Sequence, residues 1–153
     1  MDHFNIGGYH IKGYKEHDTM DGVAYVCTIW REGRKVGSAE QSGRGGSTML
    51  YFADRAEQTA FEALATSRPA REYDDFTVPA DGESLVEELI TGWQFDRESR
   101  KKIVVRTSRK DDLGDLEIKG FKAAVSPAVL RQLKVQDPAI THYWETGKGW
   151  KAL

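Results

Sequence analysis

Between residues 9 and 51 the chain alternates short runs of branched and aromatic residues with glycine-bearing turns. That spacing leaves room for little besides an antiparallel β-meander of three or four strands. The clearest strand, Val23-Ala24-Tyr25-Val26-Cys27-Thr28-Ile29-Trp30, puts Val23, Tyr25, Cys27 and Ile29 on one face and Ala24, Val26, Thr28 and Trp30 on the other, so both faces should be at least partly covered. Before it, the run from Tyr9 to Lys15 sets Tyr9, Ile11 and Gly13 on a common face and ends towards the Asp21-Gly22 turn. After it, Glu32-Gly33 turns into the more polar run Arg34 to Ala39, which has the character of a sheet edge. The glycine-rich stretch Ser42-Gly43-Arg44-Gly45-Gly46-Ser47 then leads into the apolar strand Thr48 to Phe52.

Helical spacing starts at Ala53, with Ala56, Ala60, Phe61 and Leu64 on one stripe, Arg55, Glu57, Gln58 and Glu62 on the other, and Pro69 as terminator. Residues 68–82 carry two prolines and a cluster of acids without periodicity, and are read as a long loop or internal boundary. A capping box, Ser84 with Glu87, opens a short helix whose inner residues are Leu85, Val86, Leu89, Ile90 and Trp93. Two runs, Lys101 to Thr107 and Leu116 to Phe121, are spaced as a hairpin. Ser126-Pro127 starts a third helix, because serine accepts from orphan amides and proline's fixed φ suits the first turn. Asp137-Pro138 ends it, Ile140 to Glu145 is a final strand, and Gly147 to Trp150 a tail. A meander plus helix followed by αββαβ lacks regular βα alternation, so the expected class is α+β with a mostly antiparallel sheet and about three helices, in a single domain over residues 1–153.

Composition limits what such a domain does. No apolar run is long enough to span a membrane, and the start Met1-Asp2-His3-Phe4-Asn5 has no leader-like pattern, so a cytoplasmic protein is expected. One cysteine excludes an internal disulfide and a multi-cysteine zinc site. Of the histidines His3, His10, His17 and His142, no pair has the i, i+4 spacing of a helical metal site, and neither a Gly-x-Ser-x-Gly elbow nor a P-loop is present. No metal and no cofactor is expected.

The total charge of −2 conceals a strong asymmetry. In residues 97–110, Arg97, Arg100, Lys101, Lys102, Arg106, Arg109 and Lys110 oppose only Glu98; in residues 71–88, seven acids oppose only Arg71. The basic stretch is a candidate surface for phosphates or an acidic protein, unless the two segments neutralise each other. Asp115, Glu117 and Lys119 have the residue types and spacing of Asp/Glu-x-Lys metal-dependent nucleases, where acids hold the cation and lysine orients water; ordinary cross-strand charge pairing produces the same pattern. Arg44, Gly45 and Gly46 form a candidate anion loop, with a plain hairpin connection as the alternative. Tyr143, Trp144 and Trp150 are candidate protein-interface anchors, since adjacent tyrosine and tryptophan on a terminal strand point to opposite faces.

With no strong catalytic motif, the sequence is read as a non-enzymatic macromolecule-binding protein acting through protein–protein interaction, of the accessory or inhibitor kind found in phages and mobile elements. The alternative is a nucleic-acid-binding protein using residues 97–110, with metal-dependent nuclease activity as its extreme form. Self-association through an edge strand is compatible with either.

Overall fold

The computed structural model describes residues 2–153; Met1, where the reading of the N-terminus began, lies outside them. The chain has an α+β fold with antiparallel sheets, and by its internal contacts it divides into two units, Asn5–Thr91 and residues 2–4 with Gly92–Leu153.

In the first unit, β1 (Tyr9–Thr19), β2 (Gly22–Arg31), β3 (Arg34–Gln41) and β4 (Met49–Phe52) pair in sequence order as the expected meander. The β1–β2 register shifts between Lys12 and Lys15, and Gly13 occupies that irregularity at φ 64°, where a side chain would be strained although the space around it is open. The polar run 34–39 is not an edge: β3 lies between β2 and β4. Its polarity belongs to the solvent face of a half-covered sheet, while Val36 and Ala39 turn inward. On β2, Cys27 and Ile29 are buried as expected; on the opposite face Ala24 is buried and Val26 exposed, so cover there is partial.

Asp54 caps α1 (Arg55–Ser67), its side chain accepting from the amide of Glu57. The inward stripe differs from the apolar one expected. Glu57, Phe61 and Ala65 are buried while Ala56 and Ala60 face solvent. Burial of Glu57 is made tolerable by Arg31 and Arg34, whose guanidiniums both reach its Oε1, at 2.5 and 2.9 Å. Phe61 packs against Tyr9 and Phe52, with ring centroids 5.1 Å apart in each pair. Residues 68–82 are not featureless: β5 (Arg71–Glu72) and β6 (Thr77–Val78) form a small hairpin there.

The helix α2 (Gly82–Ser99) is longer than the sequence suggested, and the division between units falls within it. Its capping box is Asp81 with Ser84, not Ser84 with Glu87: Ser84 N–H donates to Asp81 Oδ1 at 2.9 Å, and Asp81 N–H donates to Ser84 Oγ at 2.8 Å.

In the second unit, β7 (Ile103–Lys110) pairs with β8 (Leu116–Phe121); α3 (Pro127–Gln136), capped by Ser126, leads to β9 (Ile140–Glu145). The expected tail is a further strand, β10 (Gly149–Ala152), reached through a tight turn in which Gly147 adopts φ 81°. The sheet order is β10-β9-β7-β8. Alternation gives this sheet two apolar faces. Ile103, Val105 and Ile140 pack with Leu130 and Leu133 of α3. On the other face Trp144 and Trp150 cluster with Phe95 of α2, and Phe4 packs on Trp144. No helix among the described residues is long and apolar enough to cross a membrane.

Candidate functional site

The seven cations of residues 97–110 do not form one stripe, because the segment runs from helix through a turn into a pleated strand that then bulges. Arg97 lies over the Trp93 ring at 5.6 Å, and Arg106 over Trp150 at 4.9 Å. Arg109 donates to both Asp137 oxygens, at 3.0 Å from Nη1 and 2.5 Å from Nη2, and to Glu117 Oε1, at 3.0 Å from Nε and 2.8 Å from Nη2. Those bonds hold the Asp137 carboxyl, and to a lesser degree that of Glu117, below the usual carboxylate range. Lys102 is 3.9 Å from Glu98, a loose exposed pair. Arg100, Lys101 and Lys110 are exposed and make no ion pair with any described residue.

Arg100, Lys101 and Lys102 line a groove of about 660 Å³ at the end of the second unit's sheet. The turn that carries them follows the C-terminus of α2, where the amides of Lys101 and Lys102 both donate to Glu98 O and cations complement the helix dipole. Residues 123–125, just after β8, line the same groove, and Val125 there is 47% exposed. Residues 143–146 of β9 and the following turn line it as well, and the sheet order sets the start of β7 between β8 and β9. The aliphatic stem of Lys102 lies over Gly120: a Cβ at that glycine would stand 3.0 Å from its Cδ and Cε. Ser99 Oγ and Thr146 Oγ1, 2.6 Å apart, tie the end of α2 to the turn after β9. The only acid in the lining, Glu145, has Lys148 and Lys151 each 3.7 Å away. The groove therefore sets cationic residues beside apolar ones.

Of the expected interface anchors, Tyr143 and Trp150 are half-buried, and Trp144, 4% exposed, is taken up inside its own unit. Its indole N–H donates to Asp96 Oδ1 at 2.8 Å. Both faces of the sheet are packed, so neither neighbour on β9 has to project into solvent.

The Asp115, Glu117 and Lys119 set does not converge as the nuclease reading requires. Glu117 Oε1 is occupied by Arg109 and by the Thr107 hydroxyl, Lys119 reaches Asp137 at 3.3 Å, and the Asp115 amide closes a turn on Asp111. Among the described residues no three His, Cys, Asp or Glu side chains are placed to hold a metal ion together. In the other unit, Arg44, Gly45 and Gly46 sit exposed in the β3–β4 connection. The nearby amides are partly spent within the loop: Gly43 N–H donates to Gln41 Oε1 and Arg44 N–H to Ser42 Oγ. Cys27 is a buried free thiol, pushed up to about 11 by burial, which makes it a poor nucleophile.

Asp96, near the end of α2, and residues 123–125, between hairpin and third helix, belong to no motif legible in the sequence. A buried carboxylate leaves no periodic signal in a single sequence. A scan against protein-family models found no match, nor did searches of curated proteins and of solved structures.

Proposed function

We propose that this protein acts by binding another protein, and that the groove of the second unit receives a segment bearing both acidic and apolar side chains. The observation that carries this reading is the juxtaposition of Arg100, Lys101 and Lys102 with the exposed Ala123, Ala124 and Val125 in the lining of one groove. Acidic side chains on the segment meet the cations, and its apolar side chains cover residues 123–125. The exposed cations steer the encounter, and the desolvated apolar contacts hold it.

Nucleic-acid binding by the same segment is the second reading, favoured by the three cations without ion partners, Arg100, Lys101 and Lys110. It draws less support from the other four, which already face Trp93, Glu98, Trp150 and the Asp137 and Glu117 pair. A phosphate lattice would have to compete with those contacts. The metal-dependent nuclease form has the weakest support, since the Glu117 and Asp137 carboxylates are already engaged by Arg109.

Fluorescence anisotropy separates these readings. The probes are a labelled peptide of mixed glutamate and leucine, a labelled polyglutamate peptide and a labelled DNA single strand, each at low and high salt. The expected result is tightest binding of the mixed peptide, retained in part at high salt and weakened about tenfold by Lys101→Glu. Preference for DNA, with affinity collapsing as salt rises, would replace this reading with the second.

A further inference from the structure

We infer that β8 is a self-pairing edge, through which two copies of this chain join their second-unit sheets about a twofold axis. In the sheet order β10-β9-β7-β8, strand β8 has a single hydrogen-bonded neighbour, β7, so its outer backbone groups are those of an open edge. Its sequence is Leu116-Glu117-Ile118-Lys119-Gly120-Phe121. Antiparallel pairing of two such strands centred on Ile118 sets Glu117 of each copy opposite Lys119 of the other, Ile118 opposite Ile118, and Leu116 opposite Gly120. Opposite charges thus meet twice, and the residue on the axis is apolar. The two apolar residues that would enter this pairing are exposed, Leu116 at 36% and Ile118 at 40%.

The charges that usually guard an edge strand here complement each other across the twofold. The remaining edges lack that symmetry. β1 carries a register irregularity and the mixed run Lys15, Glu16, His17 and Asp18, whereas β4 and β10 are four residues each. Glu117 and Lys119 are already oriented within the chain by Arg109 and Asp137, so less side-chain freedom is lost on pairing. An isologous contact of this kind closes at two copies and does not propagate. Its pairing residues are not among those that line the groove.

Disulfide trapping tests the register. Directly opposed residues of an antiparallel pair lie within reach of a disulfide, so Ile118→Cys should cross-link to a dimer under mild oxidation. Lys122→Cys, an exposed site displaced along the chain from the axis, should stay monomeric, and buried Cys27 should not compete. In parallel, sedimentation should show the unmodified chain as a concentration-dependent dimer. Ile118→Lys, which places two like charges on the axis, should shift its dissociation constant upward at least tenfold while leaving the circular-dichroism spectrum unchanged. A chain that sediments as a monomer at every concentration would overturn the proposal. So would a dimer in which Ile118→Cys cross-links no better than Lys122→Cys.

Discussion

Asp96 on α2 and Trp144 on β9 are joined by an indole N–H to carboxylate hydrogen bond of 2.8 Å, buried beneath Phe4 and Phe95. The same carboxylate accepts from the amides of Gly147, at 2.8 Å, and Phe4, at 2.7 Å. One side chain therefore ties together the helix, the strand, the β9–β10 turn and the N-terminal residues of that unit. Gly92 gives Phe4 its place, since a Cβ there would collide with the Phe4 ring.

Asp96→Ala would leave three donors without their acceptor, two of them buried. An orphaned buried donor costs ~1–3 kcal/mol, so the variant should lose about 3 kcal/mol or more, while Asp96→Asn, which keeps one acceptor, should lose less. Urea unfolding followed by tryptophan fluorescence measures both. A loss below about 1 kcal/mol for the alanine variant would show that Asp96 is not the clasp described.

In the other unit, Glu57 and its two arginines should behave asymmetrically. Removing the more exposed of the two guanidiniums, by Arg34→Ala, should cost little, because Arg31 still holds Glu57 Oε1. Replacing Arg31 and Arg34 together strands a buried carboxylate, and ~3–5 kcal/mol is the usual cost of such a loss. Equilibrium unfolding of the single and double variants checks the ratio.

Acid should destabilise the second unit through Asp137 and Glu117. Both carboxyls titrate lower in the folded chain than in the unfolded one, chiefly because of Arg109. The unfolded chain therefore binds more protons, and this contribution to stability is fully present above the ordinary carboxylate value of about 4 and lost as pH falls through the folded values. Arg109→Met removes the cause, so its urea midpoint should fall less than that of the unmodified chain between about pH 6 and about pH 3. An equal fall in both would remove Arg109 from the explanation.

The thiol of Cys27 should be silent in the native protein. It is buried, and its pKa of about 11 keeps it protonated at neutral pH. An aromatic disulfide reagent at about pH 8 should react only after urea is added; prompt reaction without urea would mean that β2 opens readily.

Much of the architecture could be read from residue order, because strands and helices announce themselves locally. The alternation in Val23 to Trp30 and the Ser126-Pro127 helix start both depend on near neighbours, and both appear in the structure. The misreadings arose where a distant partner decides. The polarity of Arg34 to Ala39 suggests an edge, but β4 pairs along its outer side. Glu57 faces inward because Arg31 and Arg34, more than twenty residues earlier, supply the compensating charge. The basic run 97–110 was legible as a total charge but not as a surface, since pleating and the bulge send its members to different partners. The groove depends on three separated segments meeting at one end of a sheet, which no local pattern records.

The central claim is that Arg100, Lys101 and Lys102 act together with the apolar residues 123–125 as one binding groove. Backbone amide chemical shifts, recorded while the mixed glutamate and leucine peptide is added to isotope-labelled protein, test this most directly. The expected result is saturable perturbation confined to residues 99–102, 123–125 and 143–146, abolished by Lys101→Glu. Perturbation spread along Arg106, Arg109 and Lys110, or none at saturating peptide, would contradict it.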